Sequence, residues 1–123
     1  ALAEMLEKSD KVEKVYYPGL ASFPNHDVAA RQMKDFGGMV SFEVKGGKAA
    51  GMKFVNALKM CTIAVSLGDA ETLVEHPASM THSPYTPEEL KEAGIPEGLV
   101  RVSAGLENKE DILADVEQAL AQI

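Results

Sequence analysis

The sequence predicts an α/β (α+β) sandwich: a small, mostly antiparallel or mixed sheet of four to five strands with helices packed on it. Three observations carry this prediction. Short alternating or continuous apolar runs are interleaved with stretches of helical rhythm along the whole 123-residue chain. Several connections are shorter than the roughly dozen residues a parallel crossover needs. Hydrophobic residues at 46% against 25% charged supply one core of ordinary size, and no linker, repeat or low-complexity tract divides it.

Taken in order, residues 2–9 are good helix formers with Leu2, Met5 and Leu6 on one face. Val12 to Tyr17 reads as a short strand closed by Pro18-Gly19, and Asn25 to Lys34 as a helix ending before Gly37-Gly38. Met39 to Lys45 alternates cleanly, with Val40, Phe42 and Val44 on one side and Ser41, Glu43 and Lys45 on the other. Gly46-Gly47 breaks it, and a helix from about Lys48 to Met60 aligns Phe54, Leu58 and Cys61. Cys61 to Val65 reads as a buried strand, Thr72 to Glu75 as a second short strand, and Pro77 to Tyr85 as a loop without periodicity; the stretch from Glu75 to His82 is too polar and irregular for the core and is of a kind that often lines sites. Thr86-Pro87-Glu88-Glu89 opens a helix by capping box, stopped by Gly94 and Pro96. Leu99 to Ser103 alternates again. Asn108 then caps a final helix with the apolar stripe Ile112, Val116, Ala119 and Ile123.

Charge removes several function classes. Twelve basic against nineteen acidic residues leave a net charge of −7, with no basic stripe for a nucleic-acid backbone or an anionic membrane surface. No apolar stretch approaches the roughly 20 residues of a membrane span. One cysteine, Cys61, cannot form an internal disulfide, which points to a cytoplasmic protein. The chain starts at Ala1, already in helical rhythm and without an initiator methionine, so it is expected to be a piece of something larger.

The sequence has no glycine-rich nucleotide loop, no nucleophile elbow and no zinc-binding helix motif. His76 and His82 stand six apart with no third ligand type beside them and read as hydrogen-bonded loop histidines, so no metal is expected. Cys61 reads as a small core residue rather than a nucleophile. Arg101 is more informative. It is one of two arginines against ten lysines, and it sits inside an apolar strand opposite Val100 and Val102 and on the side of Ser103. A guanidinium there needs a planar anion, either a ligand carboxylate or an acid of the same domain, and spacing leaves both open. Ser66 opens a turn off the end of an apolar run, where its hydroxyl and amide either stabilise the turn or face a ligand.

Five motifs occur in order: Tyr17-Pro18-Gly19-Leu20; Gly37-Gly38-Met39-Val40-Ser41-Phe42-Glu43; Ser66-Leu67-Gly68; Glu75-His76-Pro77-Ala78-Ser79-Met80-Thr81-His82; and Gly98-Leu99-Val100-Arg101-Val102-Ser103-Ala104-Gly105-Leu106-Glu107. Together they resemble the C-terminal domain of the cysteine/methionine-metabolism family of pyridoxal-phosphate (PLP) enzymes, of the aspartate-aminotransferase fold type. Within the family the resemblance is greatest to the methionine γ-lyases. Val65 stands where cystathionine γ-lyases and synthases tend to carry Glu, and an apolar side chain suits an uncharged thioether better than a distal ammonium.

The resemblance implies that residues 1–123 are one C-terminal domain of a larger enzyme, with residues 1–10 the tail of an interdomain helix. It implies that Arg101 clamps the α-carboxylate of L-methionine or a related sulfur amino acid, that Ser66 assists, that Thr81 supports that end of the pocket and that Val65 lines it. It further implies a PLP cofactor bound mainly by the large domain, a homotetramer and γ-elimination of methanethiol. None of the ten lysines follows a Ser-x-Thr, the family's Schiff-base motif, so this chain alone is expected to be inactive. Two other readings remain open on the residues: a sister activity (cystathionine γ-lyase or synthase, or O-acetylhomoserine sulfhydrylase), and a stand-alone amino-acid-binding regulatory module.

Overall fold

A computed structural model describes residues 1–123. Its elements are α1 (Leu2–Glu7), β1 (Val12–Tyr16), α2 (His26–Gln32), β2 (Met39–Val44), α3 (Gly47–Ala57), β3 (Thr62–Ile63), β4 (Leu73–Glu75), a 3₁₀ turn (Pro77–Ser79), α4 (Pro87–Glu92), β5 (Leu99–Ser103) and α5 (Lys109–Leu120). The strands form one sheet in the order β1-β2-β5-β4-β3, antiparallel except for the outermost β3–β4 pair, which is parallel. This is the mixed five-stranded sheet with packed helices that the pattern predicts.

Alternation sorts the sheet into two faces. Val40, Phe42, Val44, Val74, Val100 and Val102 are buried against Ala3 and Leu6 of α1, Phe54 and Val55 of α3, and Val116, Ala119 and Leu120 of α5. Phe42 and Phe54 meet edge to face, with ring centroids 5.5 Å apart. Register places Met39, Ser41 and Glu43 of β2, Leu99, Arg101 and Ser103 of β5, and Leu73 and Glu75 of β4 together on the opposite face. None of the helices is long and apolar enough to cross a membrane.

Local chemistry sets the boundaries. Both expected caps form. Thr86 and Glu89 exchange the two bonds of a capping box, and the Asn108 side chain accepts from the Glu110 amide. Gly46 and Gly47 enter α3 at φ 101° and 64°, a left-handed pair that residues bearing a Cβ seldom adopt.

Three expectations need correction. The third helix stops at Ala57 rather than Met60, because the Asp115 carboxylate takes the amides of Lys59, Met60 and Cys61 at 2.8–2.9 Å and draws them out of helical pairing. Cys61 is therefore buried beyond the helix and not on its face. The run Cys61 to Val65 is not a buried strand: β3 has only two residues and both are exposed, because it is the outermost strand of the sheet. Finally, Glu75, His76, Pro77 and Ala78 are all buried, so the start of the polar stretch belongs to the interior.

Candidate functional site

The open face is built around Arg101. On central β5 it pairs across to Ser41 of β2 on one side and to Glu75 of β4 on the other. The Glu75 carboxylate, only 3% exposed, lies 2.9 Å from Arg101 Nη2. The same nitrogen donates to the carbonyls of Val65 at 3.0 Å and Ser66 at 3.2 Å. All three contacts converge on Nη2; Nη1 and Nε have no acceptor in the chain. No buried side-chain nitrogen lacks a partner, so these two atoms reach solvent. The guanidinium is thus held at Nη2, which leaves Nη1 and Nε, on opposite sides of the group, free to donate.

Residues 64–72 bring Val65 and Ser66 to this place. The loop returns over the open face, where the Gly68 amide donates to Ser103 Oγ at 2.9 Å. Its far end is pinned by Glu107, whose carboxylate accepts from the Thr72 amide at 2.6 Å and the Thr72 hydroxyl at 2.7 Å. Partial burial alone would raise the Glu107 carboxyl, but these two bonds outweigh it and hold the group below the ordinary carboxylate range. Ser66 is exposed, and neither its hydroxyl nor its amide donates within the chain. Its carbonyl faces Arg101, leaving two donors unclaimed beside the guanidinium.

Thr81 joins the cluster at one remove. Its hydroxyl donates to Glu75 Oε1 at 2.5 Å and lies 2.9 Å from His82 Nδ1. Arg101, Ser66 and Val65 are therefore in direct contact, while Thr81 reaches Arg101 only through Glu75. Sequence reading places Glu75 in a stretch of the kind that lines sites but does not pair it with Arg101. The available signal was a lone acid at the end of the apolar run Leu73-Val74-Glu75, a position that needs a cationic partner if buried.

The remaining candidates are occupied elsewhere. His76 is fully buried, with Nε2 2.7 Å from the Glu97 carbonyl and Nδ1 2.7 Å from Ser79 Oγ. Because a carbonyl can only accept, Nε2 carries the proton and Nδ1 accepts from the serine. Both ring nitrogens are engaged, and the ring is no ligand partner for His82. Burial and then the nearby Asp115 carboxylate push the Cys61 thiol up to about 12, so it carries no thiolate at neutral pH.

Comparison with known proteins finds relatives over nearly the whole chain. Residues 1–121 match the family model described as Cys/Met metabolism PLP-dependent enzyme. An L-methionine gamma-lyase of Fusobacterium nucleatum subsp. polymorphum is 62% identical over 99% of this chain and 31% of its own length, and one of Pseudomonas putida is 60% identical over 97% and 30%. An O-succinylhomoserine sulfhydrylase of Pseudomonas aeruginosa is 46% identical over the whole chain. Among solved structures, cystathionine gamma synthase from Xanthomonas oryzae pv. oryzae in complex with cystathionine superposes with a TM-score of 0.87 at 50% identity, over 98% of this chain and 31% of that one. The chain spans just under a third of the length of these relatives. Its fold, its motifs and these matches make it a member of the Cys/Met-metabolism family of PLP-dependent enzymes.

Proposed function

We propose that residues 1–123 form the C-terminal domain of a PLP-dependent methionine γ-lyase and that Arg101 binds the substrate's α-carboxylate there. The observation that carries this is the half-tethered guanidinium: Nη2 is fixed by Glu75, Val65 and Ser66, while Nη1 and Nε remain free donors for a carboxylate oxygen. The free amide and hydroxyl of Ser66 supply further donors at the same spot. Holding the carboxylate at two points fixes the rotation of the amino acid about its Cα and so presents one Cα bond for reaction.

The side chains that contact Arg101 or pair across from it do not fit the cofactor itself. They are Val65, Ser66, Ser41 and Glu75, with no amine to bind an aldehyde and no spare cation for a phosphate. PLP supplies an electron sink for carbanion chemistry. We assign it to the rest of the enzyme, which is the partner this chain requires and which we read as a cytoplasmic homotetramer. The relatives named methionine gamma-lyase, at 60–62% identity, support L-methionine as substrate over the sulfhydrylase reading at 46%. So does Val65, an apolar side chain, 54% exposed, on the residue whose carbonyl touches Arg101.

The test is the full-length enzyme. It should release methanethiol, 2-oxobutanoate and ammonia from L-methionine, and Arg101→Ala should raise KM and lower kcat together. Release of cysteine, 2-oxobutanoate and ammonia from cystathionine, with no reaction of methionine, would move the assignment to a sister enzyme. An unchanged kcat/KM in Arg101→Ala would remove the carboxylate site.

A further inference from the structure

We infer that Glu75 is a positioning residue for Arg101: it grips Nη2 of the guanidinium and so fixes where the free Nη1 and Nε point when the substrate arrives. The inference rests on the carboxylate site proposed above and adds the group that orients it.

The geometry is specific. Glu75 is a carboxylate 3% exposed, on the strand next to β5 and directly across from Arg101. One of its oxygens takes Arg101 Nη2 at 2.9 Å and the other takes the Thr81 hydroxyl at 2.5 Å. The single Thr81 proton is spent on Glu75, so the Thr81 oxygen accepts from His82 Nδ1, which fixes that ring as the Nδ1–H tautomer. His82 also packs edge-on against Tyr85, with centroids 4.9 Å apart. A directed chain of donors therefore runs from His82 through Thr81 to Glu75, and Glu75 is clamped at both oxygens.

A carboxylate beside a carboxylate-binding arginine weakens the attraction for an anionic ligand, so a role in affinity through charge alone is excluded. Its contribution is orientation. An arginine side chain loses much rotamer freedom when it binds, and one already held by Nη2 has less left to lose. Glu75 also repels a second carboxylate from the Nη2 corner, which leaves Nη1 and Nε as the donors open to the substrate.

The experiment compares inhibition constants of L-norleucine and L-norleucinamide on the full-length PLP-loaded enzyme, since the pair differs only in the carboxylate. Their ratio should be large in the parent and collapse in Arg101→Ala. In Glu75→Ala it should fall by about tenfold to a hundredfold, the range of a lost charged hydrogen bond, with cofactor absorbance and oligomer size unchanged. Glu75→Gln keeps an acceptor for Nη2 and should recover most of the ratio. Thr81→Val, which leaves both charges in place, should lower the ratio by a smaller factor and decides the matter if Glu75→Ala does not fold. A parent-like ratio in Glu75→Ala (or in Thr81→Val, where Ala is insoluble) with collapse in Arg101→Ala overturns the positioning role and keeps the site. A parent-like ratio in Arg101→Ala overturns the site and the inference together.

Discussion

Gly51 has no side chain because His76 occupies the space one would need. A Cβ built there would stand 2.3 Å from His76 Nε2 and 2.5 Å from Cδ2. The imidazole cannot retreat: it is fully buried and tied at both nitrogens to Ser79 and Glu97. Gly51→Ala should therefore destabilise the fold by about 1–3 kcal/mol, the usual range for overpacking, in spite of the better helix propensity of alanine. Urea unfolding measures it, and a variant as stable as the parent would mean that α3 can shift away. Val65 poses the reverse case, an exposed apolar residue with room to change. Val65→Glu should lower kcat/KM for L-methionine by about tenfold and favour a substrate with a distal ammonium, because the acid would be left without a partner beside a thioether. Arg101 could be found in the sequence, since a guanidinium flanked by valines on a short strand needs a planar anion. Glu75 could not be assigned to it, because cross-strand register between residues 75 and 101 leaves no mark on either segment.

At the scale of elements, the legible parts were those whose cause is local. Capping boxes, alternating strands and glycine pairs act within a few residues, and β2, β5, α4 and α5 stand where those signals put them. The errors came from distant groups. Nothing near Leu58 indicates that α3 must end there; the cause is Asp115 on α5, 54–56 residues beyond the three amides it binds. Burial alone would raise the Asp115 carboxyl, yet three backbone N–H donors outweigh it and hold the group below the ordinary carboxylate range. Asp115→Ala should leave those amides without their acceptor and cost about 2–4 kcal/mol. It should also open the segment over Cys61. Thiol labelling of the native protein reports this directly: slow in the parent, whose thiol is buried and pushed up to about 12, and markedly faster in the variant. Equal labelling rates would show that the segment holds itself.

Across the whole molecule the sheet carries α1, α3 and α5 on its core face and the Arg101 cluster on the other, so the two sides should answer differently to pH. His76 lies on the structural side of that division. Burial lowers its affinity for a proton, with the Lys48 charge adding to the effect and the Glu97 carbonyl opposing it. Between its depressed folded value and the ordinary 6.5, the unfolded chain binds more protons than the folded one. Stability is therefore complete above about pH 6.5 and falls as pH drops toward the folded value. Glu107 and Asp115 are likewise depressed, so their contributions hold above their ordinary values of 4.5 and 3.8 and are lost only at more acid pH. Two separate declines should appear in chemical unfolding of the chain, one beginning near pH 6.5 and one below pH 4.5. His76→Gln keeps a donor for the Glu97 carbonyl but cannot titrate. It should lower stability at pH 7, abolish the first decline and leave the second in place. A first decline that survives this substitution would place its origin in a group other than the ring packed under Gly51.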